Sequence, residues 1–178
     1  MCLYRKTSLE ERTVLRRAFS KWDVFEYFKD KVIYVRTNNV GRKQIFFLSS
    51  EIVMTDKQPT DNQPQYAGLL IGELGKQFSP SIQMSQIIAK KGKNFPSIKV
   101  NSKGETMVVY GRDVFVDSII EHNTHRENEV VIILNQHNEA IGIGRTRSKS
   151  NCITNKCKIA VTTIADIGQY LREEDLDV

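Results

Sequence analysis

Residues 129–145 read EVVIILNQHNEAIGIGR. Two apolar runs flank the polar pentad Asn135-Gln136-His137-Asn138-Glu139, a pattern that predicts two strands joined by a turn. Working outward, SIKVN (97–101), TMVVYG (106–111) and KIAVTTI (158–164) read as further short strands. Asn101-Ser102-Lys103-Gly104 reads as a hairpin turn between the first two of these. One helix-like segment, DVFVDSIIE (113–121), interrupts the series. Short strands at this spacing predict a small barrel or sandwich. The last residues, ADIGQYLREEDLDV (165–178), predict a strand exit or single turn and then a short acidic helix.

The N-terminal half follows a different pattern. Residues 8–29 predict helix, with Ser8 as N-cap and Glu10 and Glu11 suited to the positive helix end. Leu9, Val14, Leu15, Ala18, Phe19 and Trp22 recur at helical spacing, and a break near Lys21–Asp23 divides the segment. VIYVR (32–36) and QIFFLS (44–49) predict a hairpin around Thr37-Asn38-Asn39-Val40-Gly41. EIVMTDKQ (51–58) suggests a short helix and PTDNQPQ (59–65) a loop. GLLIGELGK (68–76) is a buried strand, and SIQMSQIIAKKGK (81–93) is a helix with a basic end. Phe95-Pro96 marks the expected boundary between domains 1–95 and 96–178. The predicted class is α+β.

The 178 residues carry a formal net charge of +5 and 40% apolar residues, an ordinary globular balance. No run approaches the roughly 18–20 apolar residues of a membrane span. MCLYRKTSLEERTVLRR lacks the apolar centre of a secretory signal. Three cysteines supply no disulfide framework. An intracellular setting without membrane partners is expected.

The charge is unevenly distributed. Met1–Pro96 holds 16 basic and 9 acidic residues, a net of +7, whereas Ser97–Val178 holds 10 and 12, a net of −2. Within that acidic half, RTRSKSNCITNKCK (145–158) contains Arg145, Arg147, Lys149, Lys156 and Lys158 and no acid. Such a patch attracts phosphates, because each cation that pairs with one releases condensed counterions. If the strand continues past Gly144, its period of two places Arg145, Arg147 and Lys149 on one face. Thr146 and Ser148 can offer hydroxyls to phosphate or a 2′-OH. Gly142 and Gly144 either admit a backbone closely or serve a bulge.

Other chemistry is weakly signalled. Cys152 and Cys157 would need two more ligands to hold zinc, and the histidines match no finger spacing. A disulfide between them is disfavoured in a reducing compartment. GLLIGELGK is not a phosphate loop, because Gly75-Lys76 is followed by Gln77. EHNTHREN (121–128) reads as a solvated connection. Trp22, Phe25, Tyr27 and Phe28 fit a helix core better than a stacking surface. No nucleophile triad, carboxylate pair or cofactor motif stands out, so no enzyme activity, cofactor or metal is expected.

GRDVFVDSIIE, EVVIILNQHNEAIGIGR and IADIGQYLREED together resemble a PUA domain, a small RNA-binding pseudobarrel. With IKVNSKGETMVVYGRDV, IFFLSSEIV and YAGLLIGELGK, nearly the whole chain resembles the Nip-seven family of large-subunit ribosome-biogenesis factors. The resemblance implies an N-terminal α/β domain on an antiparallel sheet flanked by helices, followed by a mixed β pseudobarrel. It implies a non-enzymatic factor in pre-ribosomal RNA processing and large-subunit assembly. Its RNA contacts would fall on Arg145, Arg147, Lys149, Lys156 and Lys158. Implied partners are pre-rRNA, U-rich single strands among the candidates, and assembly or processing proteins such as exosome components, met through the N-terminal domain. KQFSPSIQMSQI (76–87) lacks the basic-aromatic wording of eukaryotic members. That favours an archaeal-type, cytoplasmic homologue over a nucleolar one. Two alternatives stay open: an accessory subunit delivering RNA to a modification enzyme, and a protein-interaction module without RNA contact.

Overall fold

Ser8 and Glu11 close a capping box at the start of the first long helix. The Ser8 hydroxyl accepts from Glu11 N at 3.3 Å, and Ser8 N donates to Glu11 Oε2 at 2.9 Å. The computed structural model describes residues 4–48, 68–149, 159–169 and 172. The expected helix at 51–58, the loop at 59–65, the acidic terminal helix, and Cys152, Lys156, Cys157 and Lys158 lie outside the described residues. The chain divides into two compact units, Met1–Met84 and Ser85–Val178.

The first unit contains β1 (Arg5–Lys6), α1 (Leu9–Lys21), α2 (Phe25–Phe28), β2 (Val32–Thr37), β3 (Lys43–Leu48), β4 (Leu69–Leu74) and β5 (Phe78–Pro80). The strands form one antiparallel sheet in sequence order. The β2–β3 turn is fixed by Asn38, whose Oδ1 accepts from Val40 N at 3.1 Å and Arg42 N at 2.8 Å. Gly41 supplies the positive φ of 78° that this turn requires. α1 stops where expected: Trp22 N donates to Ala18 O, and Asp23 turns out with φ 54°. Leu15, Phe19, Trp22 and Phe28 are buried with Ile45, Phe46 and Ile71 of the sheet. Phe19 stacks on Phe28 at 4.6 Å between centroids. Trp22 and Phe28 are thus core residues, as their helical spacing suggests.

α3 (Ile82–Lys91) leads into the second unit, where the sheet order is β7-β11-β10-β9-β6-β8. Those strands are β6 (Ser97–Val100), β7 (Val114–Phe115), β8 (Ile119–His122), β9 (Val130–Leu134), β10 (Ala140–Thr146) and β11 (Ile159–Asp166), with α4 (Ser102–Val109) after β6. β6 runs parallel to β9 and the other neighbours are antiparallel, giving a mixed pseudobarrel. Its core joins Ile98, Val100, Val131, Ile133, Ile141 and Val161 with Val108 of α4. The β9–β10 turn follows expectation. Asn135 Oδ1 accepts from His137 N at 2.9 Å and Glu139 N at 3.0 Å, and Asn138 has φ 63°.

Three expected elements are corrected. Asn101–Gly104 is not a hairpin turn, nor is 106–111 a strand: Asn101 Oδ1 accepts from Gly104 N at 2.9 Å as the N-cap of α4. The same side-chain chemistry serves turns and caps. Gly104 and Val108, one turn apart, then face the core. A Cβ on Gly104 would come within 2.8 Å of Val100 and Ser118. Residues 113–121 are not a helix either. They split into β7, a 3₁₀ turn at Val116–Ser118 and the start of β8, because Val114 pairs with Val161 and Ile119 with Val100.

Candidate nucleic-acid interface

Thr146 is the hinge of the candidate site. It is 1% exposed, whereas Arg145 and Arg147 on either side of it are exposed. Its hydroxyl donates to Arg126 O at 2.6 Å and accepts from Glu129 N at 3.0 Å. Its backbone accepts from Asn128 N at 3.0 Å and donates to Glu129 O at 2.9 Å. These bonds clamp the loop before β9 onto the end of β10.

The two arginines are held in different ways. Arg145 Nη1 donates to Asn128 O at 3.0 Å. Arg147 continues the β10–β11 ladder through its N–H to Ala160 O at 2.9 Å. Its Nε donates to Thr162 Oγ1 at 2.8 Å, and Nη2 lies 3.8 Å from Asp113 Oδ2. Asn128, Arg145, Thr146, Arg147 and Thr162 line an open concavity of about 290 Å³. Among the described residues no acid lines it. Each guanidinium has five N–H donors and spends only part of them on these bonds. The free edges and the neighbouring hydroxyl and amide suit a phosphate or ribose 2′-OH.

The period-of-two reading therefore holds for Arg145 and Arg147. Lys149 is exposed beyond the end of β10, so the strand does not carry it on that face. Lys156 and Lys158 are outside the described residues. Gly142 and Gly144 serve packing at two register shifts. A Cβ on Gly144 would lie 2.2 Å from Val161 Cγ1, and one on Gly142 would lie 2.8 Å from Val108 Cγ1.

Sequence reasoning missed Asn128, Thr162, Asp113 and the exposed Arg126. The available signal was hairpin register: Arg145 pairs with Val130 on one side and Thr162 on the other. EHNTHREN is not wholly solvated, since His125 is 4% exposed. Its Nδ1 donates to Asn123 O at 2.9 Å, and its buried Nε2 has no hydrogen-bond partner among the described residues. Among the described residues no group of three or more His, Cys, Asp or Glu could hold a metal ion.

Comparison with known proteins places the chain in a family. The UPF0113 PUA-domain model matches residues 97–175, and the NIP7/UPF0113 pre-PUA-domain model matches residues 4–82. The chain belongs to the NIP7/UPF0113 family. A UPF0113 protein of Archaeoglobus fulgidus is 28% identical over 173 residues, covering 96% of this chain and 95% of the relative. A PUA-domain protein of Thermoplasma acidophilum shares the fold at TM-score 0.69 and 13% identity, covering 97% of this chain and 99% of that one. A hypothetical protein of Pyrococcus horikoshii does so at TM-score 0.68 and 13% identity, with 97% and 99% covered. In this NIP7/UPF0113 chain the candidate interface lies wholly within the PUA match, at the open end of β10. No described helix is long and apolar enough to cross a membrane.

Proposed function

We propose that this NIP7/UPF0113 protein binds single-stranded or loop RNA at the β10 end of its PUA domain. The observation that carries the reading is the pair Arg145 and Arg147 flanking a concavity that also offers Thr162 and Asn128 and that no acid among the described residues lines. The family supports a role in pre-rRNA processing and large-subunit assembly, without catalysis. Domain 96–178 supplies the RNA contact. Domain 1–95 meets assembly or processing proteins, exosome components being one candidate class. An archaeal-type member would work in the cytoplasm. Lys149, Lys156 and Lys158, which follow in the sequence, are the further RNA contacts of this proposal.

The test is fluorescence anisotropy with U-rich and A-rich single strands across a salt series. The intact protein is compared with a variant carrying Ala at Arg145, Arg147, Lys149, Lys156 and Lys158. Each lost phosphate contact lowers the salt slope by about 0.7 for single strands, so the variant should bind far more weakly with a flatter slope. Equal binding by both proteins would overturn the site assignment. Absence of RNA binding by either would favour a protein-interaction module. For the assembly role, depletion in cells should cause precursor rRNA to accumulate and free large subunits to fall, and an unchanged profile would contradict it.

A further inference from the structure

The first unit contains a second basic surface, unconnected with the PUA reading. A groove of about 470 Å³ runs between α1, the end of α2 and the start of β2. Lys6, Arg12, Arg16, Lys29 and Lys31 line it, and among the described residues no acid does. The same unit's other large groove, of about 880 Å³, mixes Glu10, Glu11 and Glu73 with Arg42, Lys43 and Lys76. Of the two grooves, the smaller one on this side of α1 is lined by cations and the larger one has mixed charge. Arg12 and Arg16 share that side with the buried Leu15 and Phe19, at the three- and four-residue spacings of one helix face.

The floor is aromatic and partly open. Phe25 is half-buried, and the Arg16 guanidinium carbon lies 5.4 Å from its ring centroid. A guanidinium over a ring is a planar, apolar-faced, charged surface of the kind on which unpaired bases stack. Arg12 Nε donates to Thr7 Oγ1 at 3.1 Å, which steadies one wall. On the other wall Lys29 is engaged by Glu26 at 2.7 Å in an exposed pair. Such a pair contributes little and can exchange for phosphate. Cations on both walls with a stacking plane between them match one short stretch of backbone and base.

We propose that this groove is a second single-stranded RNA site, taking phosphates on Arg12, Arg16 and Lys31 and a base against the Arg16–Phe25 pair. The N-terminal unit then contributes directly to RNA affinity.

The test uses the full chain and a 12-nucleotide single-stranded RNA carrying 4-thiouridine. Ultraviolet cross-linking with peptide mapping should find Phe25 or its neighbours in the intact protein, which requires no variant to fold. Anisotropy salt series then compare R12Q/R16Q/K31Q with K76Q/K90Q/K103Q, a control of equal net charge. The groove variant should lose at least about tenfold in affinity at moderate salt, and its slope should fall by about 2, at 0.7 per phosphate. The control should stay within about threefold. Equal losses in both variants, or no cross-link near Phe25, would overturn the proposal. If the groove variant binds RNA normally but no longer binds a fluorescent oligoglutamate peptide, the groove is an acidic-protein dock instead. The PUA assignment is read separately from the Arg145 and Arg147 variant, so either site can fail alone.

Discussion

Arg147 stands between an acid and a hydroxyl: its Nη2 is 3.8 Å from Asp113 Oδ2, and its Nε donates to Thr162 Oγ1 at 2.8 Å. Asp113 comes from the segment before β7 and reaches the site because β7 pairs with β11. It also accepts from Thr163 N at 3.1 Å through Oδ1, so it has a structural duty besides tempering the arginine. The long Arg147–Asp113 pair, both partners partly exposed, holds the guanidinium weakly and leaves it available to a phosphate.

Asp113→Asn keeps an oxygen for Thr163 N and removes the charge. RNA affinity should rise by about twofold to fivefold, the equivalent of a surface ion pair of ~0.4–1 kcal/mol. Anisotropy at fixed salt checks this. Unchanged or weaker binding, with the fold intact by circular dichroism, would mean that Arg147 does not meet the anion.

Thr146→Val removes the hydroxyl that joins Arg126 O and Glu129 N while keeping the shape. Leaving these backbone groups short of a partner should cost about 1–3 kcal/mol. Thermal melting should show the loss as a drop of several degrees, about 2–4 °C per kcal/mol at this chain length. RNA binding should weaken too, since Asn128 and Arg145 lose their clamp. A variant with unaltered stability would show that the staple is unimportant.

The strands around the site were legible because two continuous apolar runs, 130–134 and 140–144, flank the polar turn 135–139. Arg145 and Arg147 were legible from the strand's period of two; Thr146 was not, since its hydroxyl, expected to reach phosphate, is buried on Arg126 O and Glu129 N. Asp113, Asn128 and Thr162 were not, because register between distant strands delivers them. The segment 102–109 misled because Thr106, Val108 and Val109 favour strands locally. The Asn101 cap and the fit of Gly104 against Val100 and Ser118 override that preference. In 113–121 the apolar spacing imitates a helix. Pairing of Val114 with Val161 and Ile119 with Val100 decides otherwise.

Gly144 tests the packing account. An added methyl would meet Val161 Cγ1 at 2.2 Å and Thr162 O at 3.1 Å. Gly144→Ala should destabilise by about 1–3 kcal/mol through overpacking. Adding Val161→Ala relieves the closest clash, so the double variant should be more stable than the sum of the two single losses predicts. Denaturant titrations of the four proteins measure this coupling. Strict additivity would mean that the Gly144–Val161 contact is not what requires glycine.

Glu11 governs acid stability in the first unit. Hydrogen bonds from Arg5 hold its carboxyl well below the usual carboxylate range, opposed by burial and aided by Ser8 N and Lys43. A depressed carboxyl contributes stability that is complete above its unfolded value of 4.5 and is lost as pH falls towards the folded value. Glu11→Gln should therefore be less stable at neutral pH by about 1–3 kcal/mol, the lower side of a broken buried pair because Arg5 and Lys43 still reach water. The gap from the native protein should narrow as pH falls from about 5 towards 2. Chemical denaturation across that range checks it. A constant gap would contradict the ion-pair account.

The most direct measurement of the central claim is an amide ¹⁵N–¹H titration of the full chain with a short U-rich single strand. The largest shifts are predicted at Asn128, Arg145, Thr146, Arg147 and Thr162, and they should shrink as salt is raised. RNA that binds while these five amides stay still would contradict the assignment of the β10 end as the RNA interface.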